Sequence, residues 1–579
     1  MNALREAQLQ LSRPLIGRGP LLTVSTRTMI GDALPNESSS TSDRRYLLIL
    51  LSHFHRRLAY IAAMAPLMDD QHQGGDTEPA KPRFLIVGAG SRGNSYARAL
   101  VDSGLGIVAA VADPIAFKRR QLGAKYIWPD QEPSDDEQEF ADWRDYLKYE
   151  QQRRKDESAG LPVAPGIDAV FICVLDHQHV EVASALGPLG LHIMCEKPLA
   201  THLNDCLQIQ KSIEAGPRSI FAIGHVLRYS PHNMLLRHLL LEKRAIGDVL
   251  SLEHTEPVGW WHFSHSYVRG NWRKESSSAP SLLTKSCHDI DFILWLLCSP
   301  LNASKGAPHL PSTISSAGSL KQFTKARKPK GAGNATNCLS CAIKETCAFS
   351  AGKIYYDKHL AKGKSKWPVD IVNPEVDALH TAGKDAEAKE SLMSSLAEDY
   401  DGRTPVQDIE SRPWYGRCVW ECDNNVVDDQ YVTFEWEDRD GRSAKTANFH
   451  MIAQTLAQCE RRGRVYGTAG EISYDSKCIT VHDFTNDETK VFHPEVPKNS
   501  HHGGGDDGLT QQFAKAVAAV KSGRMAVREA QTEFLGCTVE EVVRSHAAVF
   551  AAEKARLGRM VVNWQDWWNA NVAPVLAAR

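Results

Sequence analysis

The segment from Arg83 to Gly93 constrains the fold of this chain more than any other part of it. An apolar run, Phe84–Val87, leads directly into the pattern Gly88-Ala89-Gly90-Ser91-Arg92-Gly93, and an amphipathic segment follows. This order is typical of a β-strand, a tight turn and an α-helix at the start of a dinucleotide-binding domain.

Each glycine of the pattern has a separate physical role in such a domain. Gly88 allows the tight turn out of the strand, Gly90 lets the backbone approach a pyrophosphate, and Gly93 lets the helix pack closely on the strand. Ser91 and Arg92 stand at the helix N-terminus, where free N–H groups attract an anion. These residues are therefore predicted to bind the cofactor.

The acidic residue Asp113 predicts which dinucleotide is bound. It ends a second apolar run, Ile107–Ala112, about twenty residues after the glycine motif, where a carboxylate accepts hydrogen bonds from the adenosine ribose. A carboxylate repels a 2′-phosphate, so NAD is favoured. Arg92 and the basic cluster Lys118-Arg119-Arg120 leave NADP open.

Apolar runs alternate with helical segments from residue 81 to about 225. Their continuous apolar character predicts an α/β fold class with a doubly wound parallel sheet, a Rossmann domain. The predicted strands are Phe84–Val87, Ile107–Ala112, Asp168–Val174, Leu191–Cys195 and Ser219–Ile223.

The rest of the chain, residues 226–579, shows the alternation of half-buried strands and few intervening helices. It is predicted to be a C-terminal α/β domain with a large, mostly antiparallel open sheet. A polar stretch at about 301–413 is interpreted as a cysteine-containing insertion. Residues 1–80 are interpreted as an unstructured extension or a misassigned start, with a transit peptide as the alternative.

Composition excludes several classes of protein. The net charge of −3 gives no reason to expect a nucleic acid or acidic membrane partner, and no apolar run reaches the length of a membrane span. Thirteen cysteines, several in apolar patterns, predict free thiols in a reducing compartment, and hence a cytoplasmic protein.

Two polar segments follow predicted strands at the sheet edge where ligands bind in open α/β folds. The first contains Val174, Asp176 and His179, and the second contains Glu196 and Lys197. Lys197 is a candidate to present its ammonium to a reacting hydroxyl. The alternative is an ordinary surface turn before a helix.

A third segment, Thr284 to Asp291, carries titratable groups. On a helix, Lys285, His288 and Phe292 would share one face. His288 can exchange a proton near neutral pH, although such a histidine is also common in protein cores.

Aromatic and polar residues mix between Gly259 and Arg273. Aromatic faces stack on sugar rings, while Arg, Asn and His bind hydroxyls, so a substrate wall is predicted. A buried aromatic cluster is the alternative. The candidate residues are Trp260, Trp261, His262, Arg269 and Trp272.

Three cysteines, Cys338, Cys341 and Cys347, stand close together in the polar insertion. Thiolates at this spacing suit structural zinc, with a fourth ligand from Cys418, Cys422 or a histidine. Free thiols in a mobile insertion are the alternative.

Together these motifs resemble the Gfo/Idh/MocA oxidoreductases, the family of glucose–fructose oxidoreductase and inositol dehydrogenase. The resemblance rests on the glycine loop, Glu196-Lys197-Pro198, Arg228-Tyr229-Ser230-Pro231 and His288–Asp291, and it covers about residues 83–300 and 414–549. It implies hydride transfer between NAD or NADP and a hydroxyl of a sugar, cyclitol or related polyol. It also implies a homo-oligomer formed through the open sheet.

The resemblance further implies roles for individual residues. Lys197 corresponds to the family lysine that contacts nicotinamide and substrate, and His288 to the family acid/base or substrate-binding histidine. Arg228 and Tyr229 are implied to bind substrate. Many members carry an aspartate where this chain has Thr284, and Lys285 is the nearest substitute. Two alternatives therefore stay open: redox-neutral oxidation and elimination on a glycoside, and an NAD(P)-binding sensor without turnover.

Overall fold

The apolar runs of the first half form one parallel sheet in the computed structural model, which describes residues 80–128, 137–298, 306–497, 500 and 502–578. The strands are β1 (Arg83–Val87), β2 (Ile107–Ala112), β3 (Glu139–Phe140), β4 (Ala169–Ile172), β5 (His192–Cys195) and β6 (Phe221–Ile223). They lie in the order β3-β2-β1-β4-β5-β6, and every neighbouring pair is parallel. The doubly wound parallel sheet predicted from the sequence is confirmed.

Five helices connect these strands. They are α1 (Ser91–Ser103), α2 (Ala116–Tyr126), α3 (Trp143–Ser158), α4 (His179–Leu186) and α5 (Leu203–Ala215). The strongly charged helix α3 is not wholly exposed to solvent. Its Glu150 and Arg153 are buried and paired at 2.7 Å, so part of its charge belongs to the packing against the sheet.

The second half contains a mixed sheet of nine strands. They are β7 (Val249–Pro257), β8 (Thr313–Ser319), β9 (Asp429–Trp436), β10 (Lys445–Ile452), β11 (Arg462–Gly467), β12 (Gly470–Tyr474), β13 (Ile479–Asp483), β14 (Glu488–Phe492) and β15 (Val562–Asn563). The order is β14-β13-β12-β11-β7-β10-β9-β8-β15. Only β7 and β10 pair in parallel, so the expected, mostly antiparallel sheet is confirmed.

Thirteen α-helices of the second half are described. They are α6 (Pro231–Arg237), α7 (Trp260–Phe263), α8 (Ser281–Thr284), α9 (Cys287–Leu297), α10 (Val369–Val372), α11 (Glu375–Thr381), α12 (Asp385–Ala397), α13 (Val406–Ser411), α14 (Gly505–Lys521), α15 (Val527–Ala530), α16 (Val539–Gly558), α17 (Trp564–Asn571) and α18 (Ala573–Ala577).

Helix α14 comes late in the chain but packs on the first sheet. Its Phe513 is fully buried against Phe84 and Phe171, with ring centroids 6.0 and 5.5 Å apart. The nucleotide-binding sheet is therefore completed by residues about 300 positions beyond its last strand.

The polar insertion is more ordered than the sequence predicts. Strand β8 lies inside the range 301–413 and pairs with β9, so the sheet includes part of the expected insertion. Beyond it, residues such as Ile354, Tyr355 and Leu392 form a hydrophobic cluster of their own. A polar composition concealed this cluster because its apolar residues are widely spaced.

The predicted N-terminal extension lies outside the described residues, apart from residue 80. Within the described part of the chain, no helix combines the length and the apolar character needed to cross a membrane.

Candidate active site

The glycine turn between β1 and α1 fits a bound dinucleotide. A Cβ on Gly88, whose φ is +100°, would lie 2.4 Å from the carbonyl oxygen of Cys173, and one on Gly93 would lie 2.1 Å from that of Gly88. Both glycines are therefore required by close backbone packing. A Cβ on Gly90 would meet nothing within 4 Å, so this position opens on free space, where a pyrophosphate can approach the helix N-terminus.

Asp113 joins the end of β2 to the glycine turn. Its carboxylate accepts the backbone N–H of Ala89 at 2.8 Å and that of Ile115 at 2.8 Å. The side chain is thus fixed at the edge of the sheet, where the sequence placed a ribose-binding carboxylate.

Arg92 is engaged within the protein. Its guanidinium binds Glu196 at 2.7 Å and Asp506 at 2.9 Å, and it stacks on Tyr96 with 4.6 Å to the ring centroid. Burial alone lowers the pKa of Arg92, but Asp506, Glu196 and Tyr96 outweigh it and raise the pKa well above its usual range. The binding of the cofactor by Arg92 stays a prediction. Ser91 remains exposed at the helix start.

The loop after β5 holds Lys197 toward the second half of the chain. Lys197 Nζ donates to the carbonyl oxygen of Thr284 at 2.8 Å. His179 Nδ1 donates to Pro198 O at 2.8 Å, and its Nε2 lies 3.3 Å from Val174 O. His179 and Val174 therefore support the lysine loop from the neighbouring strand end.

Asp176 connects the sheet edge to the aromatic segment. It accepts the indole N–H of Trp272 at 2.7 Å, and burial raises its pKa. Glu196 lies on the other side of the lysine loop and binds Arg92 and the hydroxyl of Tyr96.

Lys285 and His288 do not share a helix face, contrary to the sequence prediction. Helix α8 ends at Thr284 and α9 begins at Cys287, so the chain between them breaks the expected spacing. Lys285 instead lies 2.9 Å from Glu256 and 3.0 Å from Cys459 Sγ. Burial alone lowers the pKa of Lys285, but Cys459 and Glu256 outweigh it and raise the pKa, so the side chain stays an ammonium.

His288 is held as a neutral ring. Its Nε2 lies 2.8 Å from Arg461 Nη2, and a guanidinium can only donate. Its Nδ1 is buried and has no hydrogen-bond partner among the described residues. Burial is the largest cause that holds the pKa of His288 well below its usual range, and nearby Arg461 adds to it, although Asp289 opposes the shift. The free Nδ1 therefore carries the proton and can donate it in a hydrogen bond.

A buried ion network fixes Arg461. Its guanidinium binds Asp289 at 2.5 Å and Glu256 at 2.9 Å. Asp289 also accepts from His254 at 3.0 Å, and the Tyr474 hydroxyl lies 2.8 Å from the other nitrogen of that ring. Sequence reasoning missed Arg461 and Glu256 because neither lies in a recognisable local motif.

A second histidine approaches His288 from the glycine-rich loop before α14. The ring of His502 lies 6.4 Å from that of His288, and its Nδ1 is 3.0 Å from Asp506. Asp506 in turn binds Arg92, so this pair connects the glycine loop to the candidate site. The four-residue spacing of His502 and Asp506 is the signal by which the sequence could have indicated the pair.

A tryptophan of the insertion packs against the aromatic segment between Gly259 and Arg273. Trp367 packs against His262 and Trp261 with ring centroids 4.8 and 5.1 Å apart. His262 Nδ1 lies 3.4 Å from Cys459 Sγ, which joins this wall to Lys285. Trp260 packs against Phe349 of the insertion at 5.6 Å.

Three residues predicted to contact the substrate are engaged in buried contacts within the protein. Arg228 forms a buried two-point ion pair with Asp291, at 2.7 and 2.8 Å, and Tyr229 donates to Leu535 O at 3.0 Å. Arg269 is fully buried and donates to Arg417 O and Phe349 O, both at 2.7 Å. These contacts hold elements of the fold together.

One group of three side chains in the described residues has ligand atoms within 4.8 Å of one another: His225, Cys287 and His546. His546 uses both ring nitrogens, since Nδ1 donates to Val542 O and Nε2 accepts from Leu199 N–H, each at 2.8 Å. This group is therefore packing behind the lysine loop. The predicted zinc ligands Cys338, Cys341 and Cys347 do not meet the same spacing.

Comparison with known proteins agrees with this geometry. Residues 82–222 match the Gfo/Idh/MocA family model described as an oxidoreductase family with an NAD-binding Rossmann fold. The chain is a homologue of the Gfo/Idh/MocA oxidoreductases. The predicted family resemblance is thereby confirmed.

Two curated proteins are similar to part of the chain. The 2,7-anhydro-N-acetylneuraminate hydratase of Escherichia coli K12 is 25% identical over 249 residues, 41% of this chain and 59% of the relative. The inositol 2-dehydrogenase of Gluconacetobacter diazotrophicus is 28% identical over 166 residues, 27% of this chain and 45% of the relative. The chain thus spans only about half the length of these relatives.

The fold extends further than the sequence identity. A levoglucosan dehydrogenase solved in complex with NADH and levoglucosan superimposes with a TM-score of 0.51 and 13% identity, covering 83% of this chain and 99% of that one. Both sheets therefore follow the architecture of a two-domain oxidoreductase.

Proposed function

We propose that this protein is an NAD-dependent oxidoreductase that transfers hydride between the cofactor and a hydroxyl-bearing carbon of a sugar, cyclitol or related polyol. The observation that carries the proposal is the 2.8 Å contact of Lys197 Nζ with Thr284 O. It brings the lysine after β5 to the start of the segment that contains His288. We infer that this lysine and the neutral histidine act on the same substrate hydroxyl.

The cofactor site is proposed from residues at the edge of the first sheet. Gly88, Gly90 and Gly93 shape the turn for the pyrophosphate, and Asp113 faces the ribose. NAD is favoured over NADP because Asp113 repels a 2′-phosphate, while Arg92 is already bound to two carboxylates.

The remaining residues bind and polarise the substrate. Bound NAD+ supplies the hydride acceptor for the carbinol carbon. We propose that His288 Nδ1–H and Lys197 donate hydrogen bonds to the carbinol oxygen, since a lysine ammonium has donors left after its bond to Thr284. His502, oriented by Asp506, accepts the hydroxyl proton, and the aspartate stabilises the resulting cation.

Trp260, Trp261, His262 and Trp272 form the proposed wall for the sugar ring. Trp272 is fixed by Asp176 of the first sheet, so this wall spans the two halves of the chain. Lys285 keeps its charge and adds a positive field near the site without accepting a proton.

The test is the substitution of Lys197 by Met in the full-length protein. Turnover on the best substrate from a panel of sugars, inositols and glycosides, followed by nicotinamide absorbance, should fall about 10²–10⁴-fold. The NADH dissociation constant should stay within about threefold. The exposed Lys243→Met is the matched control and should match the parent in both measurements. NADH binding without hydride exchange on any substrate would contradict the proposal and favour the sensor.

A second candidate is a redox-neutral reaction on a glycoside. One observation favours it: the Escherichia coli relative described above is a hydratase and not a dehydrogenase. In this reaction the sugar is oxidised transiently, a substituent is eliminated, and the ring is reduced again. Product formed without added cofactor and without net NADH would identify it.

The proposal retains the other expectations from the sequence. The nucleotide-binding domain is placed at 81–225 and the substrate domain at 226–579, with α14 contributed to the first. A homo-oligomer formed through the open sheet and a cytoplasmic location are likewise proposed, and all thirteen cysteines are free, as a reducing compartment requires.

A further inference from the structure

Four cysteines of the second half surround one small cavity. Cys338, Cys341 and Cys347 come from the insertion, and Cys418 comes from a segment about seventy residues later. Cys422, the other cysteine predicted as a possible ligand, does not line the cavity. The sequence left the fourth ligand open, and the structure indicates Cys418.

Backbone pairing aligns the two segments. Asn337 and Arg417 form an isolated antiparallel bridge, in which Cys338 N–H donates to Gly416 O at 2.8 Å and Cys418 N–H donates to Thr336 O at 2.7 Å. Side chains alternate along such a pair, so Cys338 and Cys418 project from the same face. Cys341 N–H donates to Cys338 O at 3.3 Å, which folds the second thiol back toward the first.

A buried cation without a balancing anion lies beside one of these cysteines. Arg269 has no exposed surface, and its Nη2 lies 3.3 Å from Cys338 Sγ. Its Nη1 has no hydrogen-bond partner, and no carboxylate pairs with Arg269 in the described residues.

This arrangement needs negative charge on the sulfur atoms. A buried charge without a counter-ion is destabilising, so neutral thiols leave Arg269 uncompensated. Thiols become thiolates when they bind a metal, and four thiolates around one Zn²⁺ carry a net charge of about −2. Such a site would supply the missing anion beside the guanidinium.

We propose that Cys338, Cys341, Cys347 and Cys418 bind one structural zinc ion. Binding replaces four S–H protons by four Zn–S bonds and releases the protons to solvent, with no change in oxidation state. Tetrahedral zinc needs sulfur atoms about 3.8 Å apart, at Zn–S distances of about 2.3 Å. The four sulfur atoms are more widely spaced, but Cys341 and Cys347 are half-exposed and lie in turns, where side-chain rotation can close the site.

The proposed zinc would stabilise the substrate wall. Phe349, which lines the cavity, packs against Trp260 at 5.6 Å and accepts a hydrogen bond from Arg269. The ion would thus hold the insertion against the segment that faces the substrate, independently of the reaction carried out there.

The test is the zinc content of the full-length protein, purified without chelator and measured by elemental analysis. We expect about one zinc per chain, resistant to dialysis and released by a thiol-modifying reagent. Cys341→Ser, at a half-exposed position, should lose at least about nine-tenths of the zinc. Cys422→Ser is the matched control and should retain it.

Two results would overturn the proposal. One is parent protein that holds no zinc after incubation with Zn²⁺, or that holds iron instead. The other is zinc retained by both Cys341→Ser and Cys418→Ser, which would place the ion elsewhere. Because the parent protein is measured first, poor folding of a variant does not decide the outcome.

Discussion

The tautomer of His288 decides what this side chain can do. Because Arg461 only donates, the ring accepts at Nε2 and carries its proton on the buried Nδ1, which has no other partner in the described residues. In His288→Asn, the side-chain amide lies near the position of Nδ1 and can replace its N–H donor. In His288→Gln, the amide reaches the position of Nε2 instead. We therefore expect His288→Asn to lose about tenfold in turnover and His288→Gln about 10²–10³-fold.

Steady-state kinetics of both variants, with NADH binding as the control measurement, check this expectation. Equal losses in the two variants would mean that His288 exchanges a proton and does not merely donate a hydrogen bond. Neither substitution touches the glycine turn, so both variants should bind NADH like the parent.

Individual residues of the site differ in how far the sequence could indicate them. Lys197 and His288 follow recognisable patterns, and the structure brings their segments together. Arg461 and Glu256 lie on or beside strands distant in sequence, and only the pairing of β7 with β11 brings them to His288. Arg269 was assigned to the substrate because its type suited that role, but burial beside thiols determines its contacts.

Among the elements, the strand–turn–helix unit of β1 and α1 allows a sharp comparison of two glycines. Gly88→Ala should destabilise the protein by about 1–3 kcal/mol, because φ is +100° and the new Cβ meets the Cys173 carbonyl. Gly90→Ala should change the free energy of unfolding by less than about 0.5 kcal/mol, because its Cβ has free space.

NADH affinity, unlike stability, should be lowered by the substitution at Gly90. A methyl group at Gly90 fills the approach of the pyrophosphate, so we expect NADH to bind about tenfold or more weakly to Gly90→Ala. Urea unfolding and NADH titration measure the two effects. Gly402→Ala, also without neighbours within 4 Å, is the control and should change neither. Unchanged NADH affinity in Gly90→Ala would place the pyrophosphate elsewhere.

The sequence predicted the elements that have a local apolar pattern and missed those defined by distant contacts. Parallel strands buried on both faces are continuous apolar runs, so β1, β2 and β4 are evident without the structure. Strand β8, with the sequence Thr-Ile-Ser-Ser-Ala-Gly-Ser, has no such run and is defined by its pairing with β9. Helix α14 is amphipathic in sequence, yet nothing local indicates that its apolar face covers the first sheet.

For the whole molecule, buried histidines set the dependence of stability on pH. Burial lowers the pKa of His192 to about 4, and those of His265 and His546 to about 3. The unfolded chain binds these protons near pH 6.5, so each histidine favours unfolding as the pH falls from there toward its folded pKa. Burial raises the pKa of Asp370 to about 6, and this group opposes the effect between about pH 6 and 4.

These three protons, together with that of His288, outnumber the one on Asp370, so the free energy of unfolding should fall as the pH falls from about 6 to 4, by about 1.4 kcal/mol per pH unit for each unbalanced proton. Urea titrations at several pH values, followed by tryptophan fluorescence, measure this slope. His192→Gln should reduce it by about 1.4 kcal/mol per pH unit, because one of these protons is removed. The exposed His177→Gln is the control and should leave the slope unchanged. If His192→Gln had the same slope as the parent protein, His192 would not contribute to the acid sensitivity.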